Sequence, residues 1–471
     1  MNIMKISKNL YAKALYTHRL AVSFRAMVLV CLGFLSCDSF TEIDFPDSQL
    51  TGVEVFDSPA TVNAAFASIY AKLRDETLTT GNIGLNVLMG LYADELDYYG
   101  ASGENGQYFY NHTVLASNTK VASIWNGSYN LIYGTNSILS GLQNSEALSE
   151  KERAEFRGEA LFLRAYLHIY LLNLYGPIPY ITTTDYRVNQ NVSRMEEEEV
   201  YALMIQDLEE AKALLPNVSG SERTKPTAIA AMALLARIHL YAKNYSAAEY
   251  YANEVINNSG FVLGENIEKV FLKNSPSTIW QLQPKTGSNT WEAFIFIFKN
   301  PPPPFVALNP EMVASFEDND QRKANWIGEV NGGGVTYYYP FKYKEVNTGS
   351  AKEYSILFRL AEQFLIRAEA RVFLGDLSGA KGDLDQIRQR AKLPPLAINS
   401  APELLEAVEK ESLHEFFSEN GHRWFDLKRW GRAAAVLAPI KPAWKATDIL
   451  LPLPESELAL NPNLQPQNPG Y

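Results

Sequence analysis

The feature that most restricts the fold is the stretch "RAEFRGEALFLRAYLHIYLLNLYG" at residues 153–176. Apolar side chains occupy nearly every face of a helix drawn on this stretch, and such a helix is stable only where a larger body buries it. Gly176 and Pro177 come at its end, where helices commonly stop. The stretch therefore predicts a long buried helix and a mostly α-helical protein.

A second helix is predicted at residues 200–216, "VYALMIQDLEEAKALLP", where an apolar stripe recurs at helical spacing and Pro216 ends it. The acidic run at 196–199 comes just before this stripe. Carboxylates are favourable at the N-terminal end of a helix dipole, so the run is predicted to begin the helix.

A repeated pattern predicts two helical hairpins, near residues 234–256 and 365–387. The copies align without gaps, with Ala236 on Ala368, Asn244-Tyr245 on Asp376-Leu377, Ala248 on Ala380, and Val255 on Ile387. Small residues at these positions let antiparallel helices approach closely, as in tetratricopeptide hairpins. Because the copies lie far apart in sequence, we expect scattered rather than tandem hairpins; two unrelated hairpins are the alternative.

Between the helical blocks, residues 97–119 and 274–350 are rich in Gly, Asn, Tyr, Trp and Pro. They contain two strand-like pieces, "STIWQLQ" and "VTYYYPFKY", and a proline run at 301–304 that favours a stiff extended loop. Long ordered loops in a compact body usually carry function. Helical blocks lie on both sides of these loops, so one intertwined domain is predicted rather than several.

The N-terminus has the pattern of an export signal. A basic, acid-free segment precedes an apolar run at residues 26–35, which is shorter than the ~20 residues that a membrane-spanning helix needs. Ser36 and Cys37 follow, in an arrangement that resembles a bacterial lipobox, where the cysteine thiol receives a diacylglycerol. We expect residues 1–36 to be a lipoprotein signal peptide, Cys37 to be lipidated and residues 37–52 to be a tether; an ordinary signal peptide is the alternative.

Loss of this leader makes the chain more acidic. The full sequence has 42 basic and 53 acidic residues and a net charge of −11. The leader holds five basic residues and no acidic one, so its removal takes the net charge to −16. A surface that acidic repels nucleic acid. Cys31 leaves with the leader and an acylated Cys37 cannot pair, so the exported chain is predicted to have no disulfide.

No catalytic motif is complete in the sequence. "SLHEFF" begins like a metalloprotease helix, but Ser418 stands where the second histidine ligand belongs. His422 and Asp426 stand four residues apart, as two metal ligands on a helix do, although we interpret them as partners of buried neighbours. We therefore predict a protein with no enzymatic activity, metal or other cofactor. Composition alone leaves a glycosidase carboxylate pair and a loop-bound calcium ion open.

Four segments carry a family resemblance, in this order along the chain: "CDSFTEIDFPDSQLTG", "EALFLRAYLHIYLLNLYGPIPYI", "ENGHRWFDLKRWGRA" and "LLPLPESELALNPNLQPQNPGY". Together they resemble the SusD/RagB family, the nutrient-binding outer-membrane lipoproteins of Bacteroidetes. The likeness runs from Cys37 to Tyr471. It implies a SusD-like domain over residues 53–471, with an N-terminal part at about 53–240 and a C-terminal part at about 260–471, built as a helical body with a loop-rich binding face.

The resemblance also implies a role. Members of this family lie on the outer face of the outer membrane and pair with a SusC-like TonB-dependent transporter. They act as a lid that captures an oligosaccharide and closes over the barrel. For this chain the resemblance implies an anchored, surface-exposed glycan-binding protein whose helical body contacts the barrel while its loops hold the sugar.

A sugar site needs flat aromatic rings for the apolar faces of a pyranose, and amides, carboxylates or arginines for its hydroxyls. Two loops offer such groups together. The first predicted ligand-binding set follows "YADELD" and consists of Asp97, Tyr98, Tyr99, Tyr108, Tyr110 and Asn111, with Glu104 near them. The second set lies in "TGSNTWEAFIFIF" and consists of Asn289, Trp291 and Phe294.

Trp326 and the tyrosines at 337–339 form a third set, for which a structural role competes with ligand binding. Aromatic residues that alternate along a strand usually belong to a core, so the structural role is favoured for Trp326 and Tyr338. Arg423 and Arg429, in "HRWFDLKRWG", are expected to pair with acids while the indoles pack. The Asn-Pro pairs near the C-terminus are expected to fix turns that lay the tail along the body.

Three other functions stay open as alternatives. The first is capture of a peptide or another nutrient by the same lid mechanism, and the RagB branch of the family suggests peptides. A surface scaffold would use the helical hairpins for protein partners only. A surface glycosidase would show turnover, which we do not expect.

Overall fold

The apolar stretch that restricts the fold is a single long helix in the computed structural model. The structure describes residues 53–78, 84–217, 222–258, 260–264, 266–346 and 351–471, and these form one compact unit. The predicted signal peptide at 1–36, the lipidated Cys37 and the tether at 37–52 lie outside the described residues.

The fold is mostly helical with a few short strands. The α-helices are α1 (Pro59–Asp75), α2 (Leu85–Tyr92), α3 (Asn105–Tyr110), α4 (Thr119–Asn144), α5 (Glu150–Tyr175), α6 (Tyr186–Asn189), α7 (Glu197–Leu214), α8 (Ala228–Tyr241), α9 (Tyr245–Ile256), α10 (Trp291–Phe296), α11 (Pro310–Ala314), α12 (Gln321–Trp326), α13 (Leu360–Leu374), α14 (Leu377–Arg390), α15 (Ala401–Phe416), α16 (His422–Arg429), α17 (Ala433–Leu437) and α18 (Glu455–Leu460). The strands are β1 (Leu96–Tyr98), β2 (Thr278–Leu282), β3 (Val306–Leu308), β4 (Ile327–Gly332), β5 (Val335–Pro340) and β6 (Ser355–Arg359). Short 3-10 helices lie at Val53–Phe56, Ile267–Lys269, Ala446–Ile449 and Pro462–Leu464.

Helix α5 confirms the prediction of a long buried helix. Every residue from Gly158 to Tyr175 is buried, and the helix packs against α4 and α7. At its start the Ser149 hydroxyl accepts from the Glu152 N–H while the Glu152 carboxylate accepts from the Ser149 N–H, so two unpaired donors are satisfied. Gly176, with φ of 72°, ends the helix where the sequence predicts.

Helix α7 begins at the acidic run, which is also as predicted. Glu197, Glu198 and Glu199 occupy its first turn, where their charges favour the N-terminal end of the dipole.

The two predicted hairpins are present as α8–α9 and α13–α14. Their turns share one backbone conformation at aligned positions, since Lys243 has φ of 60° and Gly375 has φ of 85°. Asn244 and Asp376 come next, and each caps the second helix of its hairpin with its side chain. The small residues predicted between the helices are all 0% exposed: Ala236, Ala248, Ala368 and Ala380.

The hairpins are separated in sequence but adjacent in space, because α9 packs against α13. The rings of Tyr245 and Phe373 stack across this interface with centroids 4.1 Å apart. Arg371 forms an ion pair with Glu249 at 2.9 Å. The two copies therefore form one continuous layer of helices although more than a hundred residues separate them.

The strand-like pieces form two small antiparallel sheets. One has the order β1-β3-β5-β4, and its register places Leu308 between Leu96 and Tyr338. The other pairs β2 with β6, opposite each other at Trp280 and Phe358. Both predicted pieces, "STIWQLQ" and "VTYYYPFKY", are confirmed as β2 and β5.

A group of buried charges, called here the ionic cluster, joins the strands to the helices. Its members are at most 5% exposed: Asp320, Arg322, Lys342, Arg359, Arg390, Glu411, Glu415 and Glu419. Arg359, at the end of β6, donates to the carboxylates of Glu415 and Glu419. Buried charges are tolerated only where opposite charges and hydrogen bonds surround them, so the cluster fixes how these elements meet.

Two other cations of the cluster bind the end of α15 and the residues that follow it. The Lys342 ammonium, in the segment after β5, donates to Glu419 and to the carbonyls of Glu415 and Phe417. Arg322 of α12 donates to Glu411 of α15 at 2.7 Å and to Asp320. Two separate parts of the loop-rich region, and the strand β6 that follows it, are thereby tied to the end of α15.

The C-terminal tail lies along the helical body, as the Asn-Pro pairs predict. Asn461 donates to the carbonyl of Val192 at 2.8 Å. Asn468 donates to the carbonyls of Tyr175 and Leu451 at 2.8 and 2.7 Å. The tail thus covers the end of α5.

We expect Arg359→Met to lower the free energy of unfolding by about 3–5 kcal/mol, because it removes a buried cation that donates to both Glu415 and Glu419. Urea unfolding followed by circular dichroism measures this loss. Lys151→Met is the control, since Lys151 makes an exposed ion pair with Glu155 that is worth at most about 1 kcal/mol. Similar losses in the two variants would contradict the central role of the ionic cluster.

The aligned hairpin turns give a matched pair of substitutions. Gly375→Ala should destabilise the protein by about 1 kcal/mol, because a side chain at a left-handed position is strained. Lys243→Gly should stabilise it by a similar amount for the same reason. Thermal unfolding of both variants measures the two effects, and shifts in the same direction would be inconsistent with equivalent turns.

Candidate functional site

A cleft of about 390 Å³ opens between the end of α1, the loop before α10 and the start of β6. This volume is in the usual range for a small-ligand site. We call it the Trp291 cleft, and its lining residues are Arg74, Asp75, Pro284, Lys285, Ser288, Asn289, Thr290, Trp291, Phe294, Val346 and Ser355. The structure therefore brings together the whole second set predicted from sequence, which is Asn289, Trp291 and Phe294.

Trp291 is held in a fixed orientation at the start of α10. The Thr290 hydroxyl caps this helix by accepting from the Ala293 N–H. The indole N–H of Trp291 donates to Asp75 Oδ1 at 3.0 Å. Phe294, which is 65% exposed, lies edge-on to the indole with ring centroids 5.8 Å apart. The half-buried indole is thus preorganised, which reduces the entropy lost when a ligand stacks on it.

Asp75, at the end of α1, is the acceptor that fixes the indole. The Arg74 guanidinium donates to both of its carboxylate oxygens. These bonds, followed by the bond from Trp291 and the charge of Lys285, hold the pKa of Asp75 below its usual range although partial burial opposes them. The carboxylate is therefore ionised at neutral pH, and it stays a strong acceptor for the indole.

A buried acid, Glu292, lies behind the cleft. Its carboxyl accepts from Asn86 Nδ2 at 3.0 Å and from the Ser355 hydroxyl at 2.8 Å. These bonds connect α10 to α2 and β6, so they help to position the neighbouring Trp291. Burial raises the pKa of Glu292 to about 7.

The first and third predicted sets meet beside the four-stranded sheet. Tyr99, which follows β1, lies edge-on to Tyr337 of β5, with ring centroids 5.7 Å apart. Tyr99 is 39% exposed. These two residues, called here the tyrosine pair, form a second aromatic surface. Tyr108 of α3 and Asn111 at its end are also exposed, and their role in ligand binding stays a prediction.

Three residues of the first set have internal partners. The Tyr98 hydroxyl donates to the carbonyl of Ala101 at 2.7 Å. The Tyr110 hydroxyl donates to Asp97 Oδ1 at 3.3 Å, and the Lys441 ammonium lies 3.5 Å from the centroid of its ring. Burial, followed by the charge of Asp97, raises the pKa of Tyr110 to about 12. These contacts favour a supporting role for Asp97, Tyr98 and Tyr110.

The inclusion of Trp326 among the ligand-binding residues is corrected by the structure. Its side chain is 1% exposed, and its indole N–H donates to the carbonyl of Ile267 at 3.1 Å. A ring enclosed in this way has no face for a ligand. Tyr338 packs against the same core, so the structural interpretation holds for both residues.

The histidine and the acid of "HRWFDLKRWG" are buried and have structural surroundings. The carboxylate of Asp426 accepts from Arg429, which also forms an ion pair with Glu369. Arg423 donates to both carboxylate oxygens of Asp94, so the predicted pairing of the two arginines with acids is confirmed. Within the ranges that the structure describes, no group of three or more His, Cys, Asp or Glu side chains is placed to hold a metal ion.

Sequence reasoning missed Arg74, Asp75, Lys285 and Val346 as parts of the cleft. Asp75 ends a helix 216 positions before Trp291, and no local pattern links the two. Lys285 and Val346 lie within the loop-rich region, so composition indicated the region but not these positions.

Two sequence profiles match the chain. A family described as "Starch-binding associating with outer membrane" matches residues 44–240, and the family described as "SusD family" matches residues 307–440. Together the matches cover more than half of the chain. The protein belongs to the SusD/RagB family. This confirms the resemblance carried by the four segments, and the family that matches the N-terminal part is described as starch-binding and associated with the outer membrane. In the part of the chain that the structure covers, no helix is both long and apolar enough to cross a bilayer.

Relatives within the SusD/RagB family agree with the fold. SusD-like protein P2 of Formosa agariphila is 27% identical over 509 residues, which is 94% of this chain and 98% of the relative. A SusD superfamily structure from Bacteroides vulgatus has a TM-score of 0.78 at 22% identity and covers 88% of this chain and 100% of that one. Surface glycan-binding protein A from Bacteroides thetaiotaomicron, in complex with laminarihexaose, has a TM-score of 0.72 at 19% identity and covers 87% and 99%. At these identities the structures establish the SusD fold.

Titration of Glu292 should appear in the pH dependence of stability. Its folded pKa of about 7 is above the ordinary value of 4.5, so its contribution is fully present below about pH 4.5 and is lost as the pH rises through 7. We expect Glu292→Gln, which is neutral at every pH, to gain up to about 3 kcal/mol relative to wild type between pH 4 and pH 8. Urea unfolding of both proteins at several pH values measures the difference. A difference that does not change with pH would contradict this assignment.

Proposed function

We propose that this protein captures a nutrient oligosaccharide at the cell surface and delivers it, as a lid, to a SusC-like TonB-dependent transporter. Membership of the SusD/RagB family supports glycan binding as the general activity. The Bacteroides thetaiotaomicron relative is in complex with laminarihexaose, which supports the same class of ligand for this chain.

The observation that carries the proposal is the fixed, half-exposed indole of Trp291 in a cleft of suitable size. The apolar face of a pyranose stacks on a flat ring, and the surrounding hydroxyls and amide can bond its polar rim. Asn289 and Ser288 line the cleft beside the indole. The tyrosine pair offers a second aromatic surface for a longer chain of sugars.

Delivery depends on anchoring and on a partner. A lipid on Cys37 would hold the protein at the outer membrane, and the helical body would contact the transporter. The proposed protein performs no chemistry on the sugar and uses no cofactor, so its work is binding alone. A purified lipid-modified chain that co-purifies with a TonB-dependent barrel would support this arrangement.

Trp291→Ala should weaken oligosaccharide binding at least about tenfold, because it removes the stacking surface from the cleft. A glycan array identifies the ligand, and isothermal titration calorimetry then compares the variants. Trp291→Phe keeps a flat ring but loses the bond to Asp75, so an intermediate affinity is expected. Tyr250→Ala is the control, since Tyr250 is 57% exposed on α9 and does not line the cleft.

Other outcomes separate the alternatives. Binding of peptides but of no glycan would favour peptide capture by the same lid mechanism. Retained association with a barrel, with no binding of any small nutrient, would favour a scaffold. Hydrolysis of an oligosaccharide by the purified protein would overturn the proposal. Loss of binding in Tyr99→Ala, with Trp291→Ala unaffected, would move the site to the tyrosine pair.

A further inference from the structure

The charges of the Trp291 cleft differ from those of the chain as a whole. The protein carries a net charge of −11, yet among the described residues that line the cleft only Asp75 is acidic. That carboxylate already accepts two bonds from Arg74 and one from Trp291. It is therefore largely neutralised before any ligand arrives.

Lys285 supplies the charge that is left. Its side chain is exposed on the loop before α10, and that side chain makes no hydrogen bond or ion pair with the residues that the structure describes. Its charge acts on Asp75, but Arg74 is the direct partner of that carboxylate. The lining side chains thus carry a net charge of +1, from Arg74, Asp75 and Lys285.

Two of the hydroxyl groups of the cleft are already engaged within the protein, whereas the Lys285 ammonium remains available as a donor. An ammonium group has three donors and no acceptor. The Ser355 hydroxyl gives its proton to Glu292, and the Thr290 hydroxyl oxygen is occupied by the Ala293 N–H. A carboxylate or sulfate on the sugar needs donors and a positive charge, which the ammonium supplies in addition to the amide of Asn289 and the hydroxyl of Ser288 that can bond a neutral rim.

We propose that the Trp291 cleft prefers an anionic oligosaccharide, with Trp291 stacking on a sugar ring and Lys285 contacting a carboxylate or sulfate on that ring or the next. This inference rests on the proposed function and adds the class of substrate to it. The long-range repulsion from an acidic protein is offset at this site by a local positive charge.

The test uses pairs of glycans that differ only in the acid group. Oligogalacturonate is compared with its methyl ester, and a sulfated galactan oligosaccharide with its desulfated form, by calorimetry on the purified full chain. We expect the acidic member of at least one pair to bind more tightly. The two pairs distinguish a carboxylate ligand from a sulfate ligand.

Substitutions of Lys285 test whether this residue causes the preference for the acidic glycan. Lys285→Gln should weaken binding of the acidic member by about fivefold at low salt, and Lys285→Arg, which keeps the charge, should retain it. Lys323→Gln, an exposed lysine of α12 outside the cleft, should change nothing. The ratio between wild type and Lys285→Gln should approach one as sodium chloride is raised, since salt screens an exposed charge.

The failures of the two proposals are distinguishable. If neutral members bind as well as acidic ones, and Lys285→Gln has no effect while Trp291→Ala abolishes binding, the anionic preference is overturned and glycan capture stands. If no member of any pair binds, and none of the sugars on the array binds either, glycan capture fails and the preference fails with it.

Discussion

The buried ionic cluster is the constraint on which the rest of the structure depends. Arg359 and Lys342 come from the strand region and meet Glu415 and Glu419 at the end of one helix. A charge in a protein interior is very unfavourable unless its partners are in place, so packing that separates these elements would be strongly destabilising. The cluster therefore converts a long, loop-rich segment into an ordered part of a helical protein.

The helical body supplies rigidity, and the loops supply the site. Helix α4 packs against α1, whose last residues line the cleft. The ionic cluster holds β6 at Arg359, and Ser355 at the start of the same strand lines the cleft. The Trp291 cleft lies where these parts meet the loop before α10. Functional residues on loops that a rigid scaffold positions are a common arrangement in binding proteins. Here the hydrogen bond from Trp291 to Asp75 holds the indole in place relative to α1, and the indole is the ring that would contact a sugar.

The lining of the cleft offers one aromatic surface and one exposed charge to a ligand. The aromatic surface can supply affinity through stacking. The Asp75 carboxylate is paired with the Arg74 guanidinium, which donates to both of its oxygens. The same pairing leaves Lys285 as the charge that a ligand meets. The proposed lid would have to bind and release its ligand, and a stacked ring and an exposed charge would give contacts of moderate strength.

The sequence by itself determined the helical class, the buried α5, the two hairpins and the family, because each rests on patterns within a short stretch. It also selected Asn289, Trp291 and Phe294 as one set, since loop context and residue type were both visible. Only the tertiary structure decided that Trp326 is enclosed, and that Asp75, 216 positions before Trp291, fixes the indole of Trp291. Burial and long-range pairing depend on which segments pack together, and local periodicity carries no information about partners that are distant in sequence.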